Sequence, residues 1–474
     1  MIYLLLKKNS AMKYFWKGKN VAILGWGING LDAAKYLLKK NSIITILDQK
    51  SEKELNITGI DIRRIKTILG KNYLKNGLDN FDYVFRSPGV YRYLPEIVKA
   101  EKRGVKITSV VNLFFDLCGA KIIGVTGTKG KGTTSTLIYK ILKKSGKDVY
   151  LSGNIGAPML ELLPKVGTNS WVVLELSSFQ LIDTTKSPYI AVVLNITEDH
   201  MDWHKNRNEY VRAKAKIVTN QKKNNYAVLA YDYKDSMNFS KLTKGIVYYF
   251  SKFQRIEGSY IESGKIILRI DNKEHEIGET KNLLLRGEHN WENVCAAVCA
   301  SYLAGASIQD IKSVIFSFKG LEHRLELVGS INGVKFYNDS FSTNPQTTIA
   351  AIKSFSEPLT LILGGYDKGL KYDEMASVIS QSNVVNVILI GDISQKLKKL
   401  LKKVKYKNNL MELGYSKMRK ILRTSAKVTD KGGVVLLSPA AASFDMFVDY
   451  KDRGNQFKKE FKNLKLYWSI NQLA

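Results

Sequence analysis

The chain has 474 residues, 45% of them hydrophobic and 24% charged, which is typical of a globular protein. This length predicts about three domains, and the sequence lacks the run of ~18 or more apolar residues that a membrane-spanning helix needs. The net charge of +30 suits anionic small substrates. Because the lysines are dispersed without interleaved aromatic residues, we expect no nucleic-acid partner.

The cysteines and the first residues indicate the cellular compartment. Cys118, Cys295 and Cys299 lie in apolar surroundings without the spacing of a metal site, so they are predicted to be structural, in a reducing cytoplasm. The first twenty residues lack the charged region and apolar core of a signal peptide. We expect a cytoplasmic protein with no membrane association.

Residues 20–48 predict a strand, a glycine turn, a helix and a second strand, read from VAILGWG, INGLDAAKYLLKK and IITILD. This is a βαβ opening. Its turn, GWGING at 25–30, is compatible with a diphosphate-binding turn or with a dinucleotide site, and a single G-x-G-x-x-G does not separate the two.

The strongest motif is GVTGTKGKGTT at residues 124–134, between an apolar strand and an amphipathic helix. Glycines let the backbone N–H groups face phosphates, and the helix N-terminus adds a favourable field. Lys131 is placed to reach the β- and γ-phosphates of ATP. Gly132 stands where the first hydroxyl of a phosphate loop is expected, so Thr133 or Thr134 is left to bind Mg²⁺, and Thr133 is preferred. The predicted ATP-binding residues of this loop are Gly127, Thr128, Lys129, Gly130, Lys131, Gly132, Thr133 and Thr134.

Two later strands end in polar side chains suited to a metal. Glu175 ends the apolar strand in WVVLELSSFQL, and the strand in YIAVVLNITEDHMDWH is followed by Asp199, His200 and Asp202. The carboxyl ends of parallel strands meet at one edge of a sheet. Because Mg²⁺ keeps several waters and needs few protein ligands, Glu175 and His200 are predicted to bind it.

Strands at VKFYND (334–339), PLTLILGG (358–365) and NVILIG (386–391) predict a third α/β region. The predicted fold is therefore α/β in three domains: a Rossmann-like N-terminal domain (1–109), a central P-loop ATPase domain with a parallel-rich sheet (110–320) and a Rossmann-like C-terminal domain (321–474).

Many ordered motifs carry a resemblance to a known family. GTKGKGTT, GNIG (153–156), ELSSFQL, NITEDHMDWH, YVRAK (210–214), GEHNWEN (287–293), GLEHRLE (320–326), NDS (338–340), LGGYDKG (363–369) and LSPAAASFD (437–445) together resemble the Mur ligases of peptidoglycan synthesis, especially the glutamate-adding branch. The resemblance runs from about residue 20 to residue 457. It implies a uridine-nucleotide domain, a central ATPase domain, and a third domain that closes over ATP and brings glutamate.

The resemblance also assigns residues one by one. It implies that the UDP-linked substrate is contacted by Gly27, Asp48, Ser87, Pro88, Gly89 and Asn154. It adds Asn290, Asn293, Arg324 and Asp339 to the ATP site. From the residues alone, Arg324 beside His323 is equally compatible with a surface ion pair.

Lys214 matches a family lysine that is carbamylated by CO₂ and then bridges a second Mg²⁺. The resemblance therefore implies four metal ligands, Thr133, Glu175, His200 and Lys214. It implies three catalytic residues, Lys131, His200 and Lys214. By composition alone, Lys214 is one exposed lysine among many. Glutamate is implied to bind at Thr343, Lys368, Ser443, Phe444 and Tyr450.

The implied reaction is ATP-dependent addition of D-glutamate to UDP-N-acetylmuramoyl-L-alanine through an acyl phosphate, by a monomer. Phe341 stands where the commoner pattern has a lysine, and Tyr450 stands where a phenylalanine is usual. NDSFSTNP (338–345) together with GGYDKGLKY (364–372) also resembles a subgroup that adds L-glutamate, which leaves L-glutamate as an alternative. A folylpolyglutamate-synthase-like ligase is a second alternative, favoured by the extra glycine in GKGTT but not by the N-terminal nucleotide unit. A third, non-enzymatic alternative is a nucleotide-gated binding module.

Overall fold

The computed structural model describes residues 15–55, 57, 59–199, 201 and 203–471. Of the predicted site residues, His200 lies outside the described residues, as do its neighbour Asp202 and the first fourteen residues. The chain divides into two compact units, one running to Thr280 with Glu292–Val314, the other comprising Lys281–Trp291 and the chain from Ile315.

The first unit begins with the predicted βαβ opening, which the structure confirms. A five-stranded parallel sheet has the order β3-β2-β1-β4-β5. The strands are β1 (Asn20–Leu24), β2 (Ile43–Asp48), β3 (Ile65–Leu69), β4 (Tyr83–Arg86) and β5 (Lys106–Thr108), with helices Ile28–Lys39 and Pro95–Lys102. The central strands β1, β2 and β4 are largely buried, as expected of a parallel sheet covered on its faces, whereas the edge strands β3 and β5 are partly exposed.

A nine-stranded sheet follows in the same unit, in the order β14-β13-β12-β11-β10-β9-β6-β8-β7. It is parallel except for the two pairings that join β12, β13 and β14. Its strands are β6 (Lys121–Thr126), β7 (Val149–Gly153), β8 (Trp171–Glu175), β9 (Ile190–Val193), β10 (Tyr226–Ala230), β11 (Ile246–Ser251), β12 (Gly258–Glu262), β13 (Lys265–Ile270) and β14 (Lys273–Glu279). Helices along this part of the chain are Val110–Leu117, Lys131–Lys144, Met159–Leu162, Ser178–Leu181, Arg207–Thr219, Lys234–Asn238, His289–Leu303 and Ile308–Ser317.

One apolar core joins these two sheets. Val21 and Phe85 of the first sheet belong to the same buried cluster as Val172 and Leu229 of the second, with Phe114 between them in sequence. Ser109 caps the helix Val110–Leu117 by accepting from the Asn112 N–H, so the chain enters the second sheet through a helix packed into this core.

The second unit contains a six-stranded sheet in the order β15-β16-β20-β17-β18-β19, antiparallel only between β15 and β16. Its strands are β15 (Glu326–Ile331), β16 (Val334–Asn338), β17 (Leu359–Gly364), β18 (Val384–Ile390), β19 (Asn409–Gly414) and β20 (Val434–Leu437). The helices are Pro345–Ile352, Asp373–Ser380, Ser394–Lys403, Met418–Val428 and Tyr450–Asn471. Every helix in the described part of the chain is too short or too polar to cross a membrane.

Candidate active site

The phosphate loop lies at the carboxyl end of β6, whose neighbours are β8 and β9. Lys131 starts the helix that follows, and its Nζ donates to the carbonyl oxygens of Gly127 at 3.0 Å and Thr128 at 2.9 Å. The Thr128 N–H donates to the Asn195 carbonyl at 2.7 Å, which ties the loop to the segment after β9. The Lys131 ammonium is thus held over the loop.

Gly130 shows why this loop requires glycine. Its φ of 86° lies in the left-handed region, and a Cβ at this position would lie 2.1 Å from the Asn293 side-chain oxygen. The same oxygen accepts a hydrogen bond from the Thr134 hydroxyl at 3.2 Å. Asn293 therefore packs directly against the loop, and the Thr134 hydroxyl is engaged inside the protein.

Lys214 is buried, although composition alone predicts an exposed lysine. Its side chain, in the helix Arg207–Thr219, is 2% exposed, and its Nζ donates to the Gly127 carbonyl at 2.8 Å. Burial, reinforced by the charge of Lys131, lowers the pKa of Lys214 well below its usual value, against the opposing fields of Asp199 and Glu175. The expectation of an exposed lysine is wrong, because the helix face that carries Lys214 packs on the sheet.

Glu175 ends β8 beside the phosphate loop, as the sequence predicts, and is 7% exposed. Its backbone carbonyl accepts from the Asn154 N–H at 3.0 Å, so the Asn154 backbone lies at the same sheet edge. Among the described residues no three His, Cys, Asp or Glu side chains gather into a metal cluster. The oxygen donors of Glu175 and Thr133 still fit Mg²⁺, which completes its shell with water.

The N-terminal sheet brings two predicted nucleotide turns together at the point where its strand order reverses, between β1 and β4. The Ser87 hydroxyl donates to the Gly25 carbonyl at 2.6 Å. The Asp48 carboxylate, 8% exposed, accepts from the Trp26 N–H at 2.6 Å and the Lys50 N–H at 2.9 Å. Gly27 is the N-cap of the helix Ile28–Lys39, so a helix N-terminus opens at this turn.

Arg86, the last residue of β4, was not among the site residues predicted from the sequence. Its guanidinium donates to the carbonyls of Ser87 at 3.1 Å, Pro88 at 3.3 Å and Val90 at 2.5 Å, and so fixes the second nucleotide turn. It also pairs with Asp183 at 2.7 Å, and the two side chains are 1% and 3% exposed. An arginine ending an apolar strand directly before Ser-Pro-Gly is the signal that could have revealed it.

In the second unit, Arg324 and Asp339 lie near each other. Arg324 stands between His323 and Leu325, both of which have left-handed φ values of 62° and 44°. Its guanidinium lies 4.7 Å from the Phe341 ring centroid. His323 is 4% exposed, and its Nδ1 accepts from the Asn338 side-chain amide at 2.9 Å. Arg324 is exposed, and among the described residues it forms no ion pair.

Asp339 is 3% exposed and accepts from the Leu325 N–H at 3.1 Å and the Ser438 hydroxyl at 2.7 Å, as well as from Ser342. Burial raises the pKa of Asp339 to about 6 despite these hydrogen bonds. Its carboxylate thus joins the residue directly before β15 to the segments that follow β16 and β20. Asn290, in the short stretch of this unit before Glu292, donates to the Arg286 carbonyl at 2.6 Å.

Three neighbouring strands of the third sheet, β16, β20 and β17, are followed by the loops that carry the predicted glutamate-binding residues. Thr343 follows β16, Ser443 and Phe444 follow β20, and Lys368 follows β17. Ser443 is 2% exposed, while Phe444 is 63% exposed. Tyr450 begins the last helix, with its ring 5.1 Å from that of Phe341. The fold therefore gathers these loops at one sheet edge.

Family models match most of the chain, in three segments that follow the same order as the three sheets. They are the Mur ligase MurD-like N-terminal domain at residues 19–109, the Mur ligase middle domain at 125–301 and the Mur ligase glutamate ligase domain at 323–441. The chain belongs to the Mur ligase family, whose members use ATP, and it has the family's three-domain fold.

Within the family, the chain is similar to proteins named UDP-N-acetylmuramoylalanine--D-glutamate ligase. The one from Acetivibrio thermocellus is 40% identical, with 94% of this chain and 96% of the relative covered. The one from Clostridium botulinum strain Hall is 37% identical over 97% of this chain and all of the relative.

Solved structures support the fold. MurF from Acinetobacter baumannii matches 95% of this chain and 92% of its own at 14% identity, with a TM-score of 0.58. The UDP-N-acetylmuramate-alanine ligase MurC from Thermotoga maritima matches 94% of this chain and all of its own at 18% identity, with a TM-score of 0.56.

Proposed function

We propose that the chain is an ATP-dependent ligase that joins D-glutamate to UDP-N-acetylmuramoyl-L-alanine in the cytoplasm, as a monomer. The observation that carries this proposal is full-length similarity to ligases of that name, at 37–40% identity over 94–97% of the chain. The phosphate loop with Lys131, next to the buried Glu175, supports the use of ATP, and the N-terminal nucleotide turns argue against a folylpolyglutamate-synthase-like enzyme.

The first chemical step would join the alanyl carboxylate to the γ-phosphorus of ATP. A carboxylate oxygen forms the new bond to phosphorus as the bond to the β-phosphate oxygen breaks, which gives an acyl phosphate and ADP. Phosphoryl transfer depends mainly on positioning and charge stabilisation. Lys131, now bound to the carbonyls of Gly127 and Thr128, would turn its donors to the phosphate oxygens.

The second step would be attack of the glutamate amine on the acyl carbon. The amine nitrogen bonds to carbon, a tetrahedral intermediate collapses with loss of phosphate, and the nitrogen gives up a proton as the amide forms. The tetrahedral oxyanion needs fixed donors or cations near it. Exclusion of water is equally necessary, because water would hydrolyse the acyl phosphate.

Mg²⁺ would be held by Glu175, Thr133 and His200, where it would neutralise phosphate charge. Engagement of the Thr134 hydroxyl by Asn293 supports Thr133 as the metal hydroxyl. For Lys214 we propose carbamylation, which would turn a buried amine into an anionic oxygen ligand for a second ion. Its contact with the Gly127 carbonyl supports this role. Activity should then fall in buffer stripped of CO₂ and return with bicarbonate.

The remaining substrate contacts follow the same assignment. The UDP group would lie at Gly27, Asp48 and the turn Ser87-Pro88-Gly89, with Asn154 nearer the reacting end. Asn290, Asn293, Arg324 and Asp339 would contribute to ATP binding. Glutamate would be held by Thr343, Lys368, Ser443, Phe444 and Tyr450, with Lys368 as a point charge for a carboxylate.

The direct test is phosphate release from ATP with UDP-N-acetylmuramoyl-L-alanine and D-glutamate, L-glutamate or no amino acid, with the product identified by mass spectrometry. D-glutamate should give amide product and stoichiometric phosphate. Preference for L-glutamate would refute the stereochemistry only. Equal, negligible release in all three would refute the ligase and favour a nucleotide-binding module.

Replacing Lys131 tests the assignment of the phosphate loop. Lys131→Ala should abolish acyl-phosphate formation, because the charge on the transferred phosphoryl group loses its loop cation. Lys144→Ala, at the exposed far end of the same helix, is the matched control and should retain the rate. An undiminished rate in Lys131→Ala would exclude this role.

A further inference from the structure

Arg453 has the largest of the fully buried side chains in the described part of the chain, and nothing in the reaction above uses it. It lies in the first turn of the last helix, Tyr450–Asn471, and is 0% exposed. A cation there opposes the helix dipole and loses its hydration. Such a side chain persists only where the surrounding groups satisfy its donors.

The acceptors of Arg453 come from two of the loops that carry the proposed glutamate residues. Its Nε donates to the Ser340 hydroxyl at 2.9 Å, and one Nη donates to the Ser340 carbonyl at 2.9 Å. The Ala441 carbonyl accepts from both Nη atoms at 3.2 Å, and the Ala442 carbonyl accepts at 3.3 Å. Ser340 is three residues before Thr343, and Ala442 directly precedes Ser443.

The third loop rests on the same guanidinium. A Cβ on Gly365 would lie 3.3 Å from an Arg453 Nη and 2.2 Å from the Ala442 carbonyl oxygen. The next N–H, that of Tyr366, donates to the Ala442 carbonyl at 2.9 Å. The loop that leads to Lys368 is therefore packed against the loop of Ser443, and the Arg453 guanidinium lies next to both loops.

The hydrogen bonds of Arg453 hold a backbone segment that contains a strained residue. Ala440, which precedes the two carbonyls, has a φ of 59°, in the left-handed region that non-glycine residues rarely adopt. Arg453 forms no ion pair in the described part of the chain, so carbonyl and hydroxyl oxygens accept from its donors, while the charges of Asp445 and Asp339 act on it from farther away. Burial lowers the pKa of Arg453 to about 10, so the group stays charged at neutral pH.

We infer that Arg453 is a positioning residue for glutamate, because its hydrogen bonds to Ser340, Ala441 and Ala442 fix the loops that lead to the proposed glutamate-binding residues. This inference rests on the proposed function. A planar guanidinium can donate hydrogen bonds to acceptors on several sides at once, whereas a lysine ammonium is one compact charge. Asp339 is held separately by Ser438 and Leu325, so ATP binding depends less on Arg453.

The test compares Arg453→Lys with Arg419→Lys, a control at an exposed arginine of the same unit. Arg453→Lys should raise the KM for D-glutamate at least tenfold. The KM values for ATP and UDP-N-acetylmuramoyl-L-alanine should stay within about threefold, as should the yield of acyl phosphate trapped without glutamate. Arg419→Lys should match the unsubstituted protein in all four.

Ser340→Ala is a milder second variant, in case Arg453→Lys does not fold. It removes the acceptor of Arg453 Nε and the hydroxyl that donates to the Tyr450 carbonyl at 2.8 Å. We expect a threefold to tenfold rise in the glutamate KM. A glutamate KM within twofold of normal in a folded variant, or equal rises for all three substrates, would overturn the role of Arg453. Failure of the unsubstituted protein to release phosphate with glutamate would instead refute the proposed function, and this inference with it.

Discussion

Asp183→Asn is the substitution whose effect is best determined by the structure. Asp183 is 3% exposed at its side chain and lies between two arginines, 2.7 Å from Arg86 and 2.6 Å from Arg92. Arg86 in turn donates to the Phe179 carbonyl at 2.7 Å and to the turn after β4. The substitution keeps the volume but leaves the buried Arg86 cation without its carboxylate.

Removing one partner of a buried ion pair costs about 3–5 kcal/mol. We expect a value near the lower end, about 3 kcal/mol, because the amide keeps one acceptor oxygen and Arg86 keeps its carbonyl partners. At about 2–4 °C per kcal/mol for a large domain, the melting temperature of the first unit should fall by about 6–12 °C. Since Arg86 fixes Ser87 and Pro88, the KM for the UDP-linked substrate should rise in the folded variant.

Calorimetry and steady-state kinetics measure both effects. The control is Asp61→Asn, which breaks an ion pair with Arg63 whose side chains are 42% and 86% exposed. Exposed pairs contribute little, so its melting temperature should be unchanged. If Asp183→Asn melts like the control, the Arg86–Asp183 pair does not hold the turn, and the reasoning is refuted.

Two further predictions concern the phosphate loop and the second unit. Gly130→Ala should abolish ATP binding, measured by calorimetry, because its Cβ would collide with Asn293; Gly146→Ala, with a similar φ of 71° but open space, should lose only modest stability and keep ATP binding. Asp339→Asn tests whether protonation of Asp339 is coupled to folding. Because the pKa of this carboxyl rises from 3.8 to about 6 in the folded protein, the protonated form stabilises the fold by about 3 kcal/mol. This stabilisation is complete below pH ~4 and is lost as the pH rises through ~6. The melting temperature of Asp339→Asn, relative to that of the unsubstituted protein, should therefore rise between pH 4.5 and 7. The control Asp430→Asn, at an exposed position, should show no such trend. A difference in melting temperature that does not change with pH would contradict the coupling.

The fold was predictable because its signals are local. Continuous apolar strands such as β1, β6 and β17 alternate with amphipathic helices, and each strand ends in a glycine turn. The phosphate loop could be read for the same reason, because strand, glycines and Lys131 are contiguous. Glu175 and Asp48 could also be placed, since a carboxylate ending a buried strand must lie at the sheet edge where ligands bind.

The buried charges could not be read in this way. Lys214, Arg86 and Arg453 belong to a chain with 73 lysines and arginines, and neither periodicity nor spacing separates them from solvated ones. Their partners lie far away in sequence: Gly127 for Lys214, Asp183 for Arg86, and Ser340 for Arg453. Only after the sheets are assembled do those partners surround the charge.

The order of the three α/β regions, the phosphate loop and the family resemblance could be read from the amino-acid sequence, because each depends on contiguous residues. Only the assembled sheets show which charges leave water, and so which lysine lies against the phosphate loop and which arginines fix the turn after β4 and the loops after β16 and β20. The physical reason is that a charge is held in the interior only by acceptors brought from distant parts of the chain.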